Sequence, residues 1–135
     1  MSVAMPARQV GREMSRTLLR LDSAAVAVSA SVSLAFARPI DRVLGLNAPG
    51  VLIGLGAIFL PYAALLLWLA NRPMLTRDAV LKPVILNAAW VVASAAMLIT
   101  GRPALSTAGA WTVALVAAFV GLLAIAQGLA LRRMA

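Results

Sequence analysis

Four long apolar stretches, almost free of charge and each closed by a short polar break, constrain this chain more than any other feature. They run over residues 21–37, 51–70, 84–100 and 105–131. At 1.5 Å per residue a 17-residue helix covers about 26 Å, which spans a ~30 Å hydrocarbon layer once flanking side chains reach outward. The fourth stretch is long enough to tilt. Inside lipid a single segment must satisfy its own backbone hydrogen bonds, so each stretch is expected to be a helix. A water-soluble core is a poor alternative. Of the 135 residues 63% are apolar and 12% charged, whereas soluble domains carry about 45–50% and about 25%. With mean hydropathy at +0.97, a domain this small has too little interior to hide the excess.

The breaks carry helix-end chemistry. Arg38-Pro39, Asn71-Arg72-Pro73 and Gly101-Arg102-Pro103 follow the first three stretches, Arg132-Arg133 the fourth; proline just past a helix end blocks its continuation. Ala48-Pro49-Gly50 precedes the second stretch, where a proline lacks only an N–H that has no partner anyway. Short connections predict an all-α, membrane-spanning, antiparallel four-helix bundle.

Charge sets the expected orientation. With the N-terminus inside, nine Lys and Arg residues fall on the inner side: Arg8, Arg12, Arg16, Arg20, Arg72, Arg77, Lys82, Arg132 and Arg133. Three, Arg38, Arg42 and Arg102, fall outside. The bias predicts N-in, C-in topology in the cytoplasmic membrane, with residues 1–20 a basic cytoplasmic segment, 21–131 the transmembrane domain and 132–135 a cytoplasmic tail. Trp68 at the inner side, and Phe36 and Trp111 at the outer, fit an aromatic belt. A second reading of the start takes residues 1–37 as a signal peptide ending Ala35-Phe36-Ala37; it would leave three spans. In the outer loop, Ile40, Val43, Leu44 and Leu46 recur at helical spacing, which fits a short interfacial helix or a plain exposed loop. The Ala37-Arg38-Pro39 and Gly101-Arg102-Pro103 stops give the two hairpins a faint repeat; the same tripeptides serve as ordinary stops.

The chain has no Cys and no His. Thiolate metal sites, disulfides, bis-His haem ligation and the usual neutral-pH proton shuttle are therefore excluded. No cofactor or metal is expected, and an enzyme is the least expected class, since no nucleophile–base pair can be assembled. The net charge of +8 would suggest nucleic acid in a soluble protein, but these cations flank the apolar stretches, where orientation and lipid contact explain them. Arg far outnumbers Lys and Ala is abundant, a usage expected of a GC-rich bacterial genome.

Three features bear on function. Small residues recur in the first stretch at Ala25, Ser29, Ser33 and Ala37, with Gly50 and Gly54 in the second and Gly121 and Gly128 in the fourth; such surfaces allow close helix approach within the bundle or to a partner. Asp22, Tyr62, Asn87 and Gln127 place one polar group in the inner half of each stretch, either as interhelical glue or as a cytoplasm-facing polar pocket. Pro61, beside Tyr62, is expected to kink its helix and free a carbonyl there. Asp22 is expected to pair with a neighbouring Arg. Arg8, Arg12, Arg16 and Arg20 recur every four residues and form a candidate contact for anionic lipid, or simply the positive-inside signal.

Leu19-Arg20-Leu21-Asp22, Leu60-Pro61-Tyr62-Ala63 with Trp68, and Leu86-Asn87-Ala88-Ala89-Trp90-Val91 give the chain a resemblance to functionally unassigned small bacterial four-helix membrane proteins. The resemblance implies the architecture and no activity. Small multidrug transporters share the size, but their first helix carries a membrane-embedded Glu where this chain has Ser and Ala; small fluoride channels have balanced loop charge. The expected role is a structural or auxiliary membrane subunit acting through helix contacts, with membrane lipids, a membrane-protein partner or a homo-oligomer as partners and no nucleic acid. The alternatives are an oligomeric transporter or channel, or a protein binding a lipid or apolar ligand.

Overall fold

The computed structural model describes residues 4–135; the first three residues of the basic N-terminal segment lie outside the described part. Five helices follow in order: α1 Ala7–Ala35, α2 Ala37–Leu44, α3 Pro49–Ala70, α4 Arg77–Thr100 and α5 Thr107–Arg133. No strand occurs among the described residues. All but α2 are long and apolar enough to cross a membrane.

Local chemistry explains the ends. Pro49 opens α3 at its first helical position. The Thr76 hydroxyl accepts from the Ala79 N–H at 3.3 Å and the Ser106 hydroxyl from the Gly109 N–H at 2.9 Å, capping α4 and α5; each satisfies a donor that the helix itself leaves free. Gly45 and Gly101 end α2 and α4 in the left-handed region, at φ 75° and 64°, which glycine adopts without steric cost.

The first stretch differs from expectation at both ends. α1 begins at Ala7, so the basic segment and the apolar stretch form one continuous helix. Gly11 does not interrupt it: a Cβ there would lie 2.8 Å from the Arg133 carbonyl carbon, so the missing side chain is what lets α1 meet the end of α5. At the other end α1 stops at Ala35, and the chain turns at Phe36 (φ −124°, ψ 32°). Arg38-Pro39 is not a stop; it sits in the first turn of α2, where proline is tolerated. The connection over residues 39–47 is thus the helical of its two readings. The buried Asp41 carboxylate accepts from the Ala48 N–H at 2.9 Å and closes the α2–α3 link.

α1 lies between α3 and α5, and α4 packs on α5. Backbone contact between α3 and α4 is sparse; side chains bridge that seam, with Phe59 and Trp90 edge to face at 5.4 Å between ring centroids. Leu19, Leu66, Ala70, Leu75, Val80 and Leu131 form the main apolar core, at the end of the molecule that carries Arg16 and Arg133. Ala37, Leu44 and Leu52 form a smaller cluster beneath α2. Side chains such as Ile99, Val92 and Leu122 point outward and are 85%, 68% and 68% exposed. That much outward apolar surface suits acyl chains as the solvent.

The small-residue faces fall differently than their spacing suggests. Of Ala25, Ser29, Ser33 and Ala37 only Ala37 is buried, and Ser29 is exposed. The buried face of α1 runs instead through Ser15, Leu19, Asp22, Ser23 and Ala30. A strict four-residue series drifts about 40° per step around a 3.6-residue helix and leaves the contact. Gly50, Gly54 and Gly128 have no neighbour that an added Cβ would meet, and Gly121 only Val91 at 3.6 Å. Close approach falls on Gly56, where a Cβ would lie 2.6 Å from Leu34 Cγ and 2.9 Å from the Ala30 carbonyl oxygen, and on Gly109, which rests against the backbone of Leu44.

Candidate functional site

Three of the four polar residues picked out in the spans meet inside the molecule. Asp22 on α1 accepts at one carboxylate oxygen, Oδ2, from Asn87 Nδ2 on α4 and from Gln127 Nε2 on α5, each at 3.0 Å. Asn87 Nδ2 also donates to Gln127 Oε1 at 3.0 Å and closes a triangle across three helices. All three are buried, Asp22 to 2% exposure and Gln127 completely. Two amide donors converge on one carboxyl oxygen, and hydrogen bonds of this kind are stronger away from water.

The triad lies below the basic residues. Asp22 is six residues along α1 from Arg16, and Gln127 six residues before Arg133 on α5; each interval is about 9 Å of helix. Asp22 takes no Arg partner, contrary to the expectation from its neighbour Arg20. Among the described residues the only ion pair joins Arg16 to Glu13, at 3.7 Å. Positions two apart on a helix point to different sides, and Arg20 turns to the Asn71 side-chain oxygen instead, at 3.1 Å.

Tyr62 stands at the same level without joining the triangle. The Ser23 hydroxyl donates to the Ala63 carbonyl at 2.7 Å and fixes the register of α1 against α3. Tyr62 and Asp22 each precede a member of that bonded pair. The tyrosine ring packs on the Leu19–Leu66 core, and its buried hydroxyl has no hydrogen-bond partner among the described residues. Three of the four bond to one another, and none of the four lines the surface groove at Trp111 or the one at Met14.

The four-residue Arg series divides in two. Arg8 and Arg12 are exposed. Arg16 is half-buried and donates to the carbonyls of Ala70, Arg72 and Pro73 at 2.8, 2.5 and 3.0 Å. It thereby satisfies the end of α3, where helix carbonyls lack internal donors, and holds the α3–α4 connection with Arg20. Arg72 in turn lies over the Trp68 ring, 4.8 Å from its centroid, an attraction between cation and ring face. Sequence reasoning did not find this role for Arg16. The Asn71-Arg72-Pro73 stop marks orphan carbonyls, but nothing local says that a residue 54 positions earlier supplies the donor. Comparison with protein-family models, curated proteins and solved structures gives no match to this chain.

Proposed function

We propose that the chain is a small integral membrane protein of a bacterial cytoplasmic membrane, an antiparallel up-down four-helix bundle with both ends inside. In this reading it is a structural or auxiliary subunit that works through helix contacts, performs no catalysis, and belongs with the functionally unassigned four-helix proteins it resembles. The observation that carries the reading is the closed Asp22–Asn87–Gln127 triangle. The polar groups of three spans are used on each other, as cohesion requires where lipid supplies no hydrophobic force between helices. Gly50, Gly54 and Gly128, where an added Cβ would meet nothing within 4 Å among the described residues, leave smooth surface for a helix of another protein. Native mass spectrometry of the protein released from its own membranes tests this. A different protein bound at fixed stoichiometry is expected; a homo-oligomer with nothing else bound contradicts it. Labelling single cysteines at Ala135 and Asn47, in a chain without native Cys, tests topology: Ala135 should react only from inside and Asn47 only from outside.

A second reading is favoured by one observation. Asp22 is a buried carboxylate with no Lys or Arg within 4 Å among the described residues, and ionisable groups inside spans commonly serve transport. In that case wild-type protein in liposomes carries protons or sodium and Asp22→Asn does not. Equal, background-level flux for both removes this reading.

A further inference from the structure

A groove of about 540 Å³ runs along the seam between the first half of α1 and the last turns of α5. Val10, Met14 and Leu18 line it at four-residue spacing on α1, facing Ala126 and Leu129 on α5. Glu13 and Arg133 are the charged residues of its lining. The apolar length of such a seam suits an acyl chain, and its charged residues decide which headgroup fits.

The cation of that pair has donors to spare. The exposed Arg133 guanidinium has one hydrogen-bond partner among the described residues, the Met14 sulfur at 3.4 Å, a weak acceptor. The nearest carboxylate in the groove, Glu13, is already engaged by Arg16. Gly11 packs directly on Arg133, so the exposed Arg12 follows the residue that touches it. The other main groove, between the end of α4 and the start of α5, includes Leu98, Leu105 and Trp111 and has no cation in its lining.

We propose that the α1–α5 groove binds one glycerophospholipid with an anionic headgroup. One acyl chain lies along Met14, Leu18, Ala126 and Leu129, and the phosphate is held by Arg133 with Arg12 beside it. Guanidinium–phosphate bonding is charge-assisted, and a basic pocket between helices at the membrane surface is a recurrent headgroup site. The site rests on the membrane-protein reading but not on the identity of any protein partner.

The test is native mass spectrometry of the full chain from nanodiscs containing equal phosphatidylglycerol and phosphatidylcholine. One phosphatidylglycerol per chain should be retained in preference to phosphatidylcholine. Arg133→Gln should lower that preference about fivefold, as expected for one cation at a membrane surface, and Leu18→Trp, which fills the groove, should lower retention of both lipids. Arg102→Gln, far along the chain, should change nothing. If Arg133→Gln does not fold, as judged by helical circular dichroism, Arg12→Gln replaces it, since that side chain is exposed. Equal retention of the two lipids by wild type, or an unaltered preference in the folded Arg variant, overturns the proposal. Glycerol phosphate should not compete; if it does, a free phosphate site replaces the lipid site. A homo-oligomer retaining one anionic lipid per chain would remove the auxiliary-subunit reading and leave this one standing.

Discussion

At the end of the molecule that carries Arg16, Arg72 and Arg133 the helices are joined mainly by side-chain hydrogen bonds, with Gly11 against the Arg133 backbone besides, whereas towards the end that carries α2 close backbone contacts predominate. The first end has the Asp22–Asn87–Gln127 triangle, the Ser23–Ala63 bond and the three carbonyls held by Arg16. The second has Gly56 against Ala30 and Leu34, Gly109 against Leu44, and the Ser106 N–H donating to the Leu44 carbonyl at 2.9 Å, with the Ser106 hydroxyl on the Val43 carbonyl. Lipid tails are as apolar as leucine, so burial against lipid gains little. What remains is hydrogen bonding and van der Waals contact, and the two ends combine these in different proportions. Hydrogen bonds fix identity and register at the cost of buried polar groups. Glycine contacts hold by proximity and tolerate no added atom.

That contrast can be broken by mutation. Gly56→Leu should have the largest effect, a loss of about 3 kcal/mol, because overpacking forces α1 and α3 apart; unfolding by SDS in mixed micelles, followed by circular dichroism, measures it. Asp22→Ala should cost about 2 kcal/mol, since it leaves the buried Gln127 Nε2 without an acceptor and removes one of the two bonds that Asn87 Nδ2 makes. Replacing Asp22, Asn87 and Gln127 together by Leu should cost less than Asp22→Ala alone, because no buried polar group is then left unpaired. A triple variant worse than the single one would mean that cohesion rather than desolvation dominates. Arg16→Gln should lose about 1 kcal/mol and raise amide hydrogen exchange in residues 71–76, leaving the α2 end unchanged. Gly54→Ala and Gly128→Ala should have the smallest effect, a stabilisation of about 0.5 kcal/mol from helix propensity alone. Destabilisation by either would mark a contact that these helices do not make with each other.

How far the fold could be read in advance follows the same physics. Four spans and the breaks after the last three were legible because lipid imposes length and hydropathy on each segment by itself, and Pro49 and Gly101 act where they stand; the first break was not, because Arg38-Pro39 lies in the first turn of α2. The continuation of α1 through Gly11 was not legible, because local propensity disfavours the glycine and only the distant Arg133 explains it. The face of α1 was misplaced for a related reason: small residues at four-residue intervals are easy to see, but the partner helix selects Leu19, Asp22, Ser23 and Ala30. The polar cluster was legible in membership, since Asp22, Asn87 and Gln127 stand out in apolar surroundings. Its closure on itself was not, nor the exclusion of the Tyr62 hydroxyl, because both depend on side-chain directions across helices. Arg16 and Arg20 read as surface charge until the end of α3 is placed beside them.

The most direct test is a double-mutant cycle between Asp22 and Gln127, 105 residues apart in sequence and 3.0 Å apart in the fold. Asp22→Ala, Gln127→Ala and the double variant would be unfolded by SDS in mixed micelles. The expected coupling is about 1 kcal/mol, within the range for hydrogen bonds between membrane helices. Coupling indistinguishable from zero, with each single variant folded, would contradict a triad that joins α1 to α4 and α5.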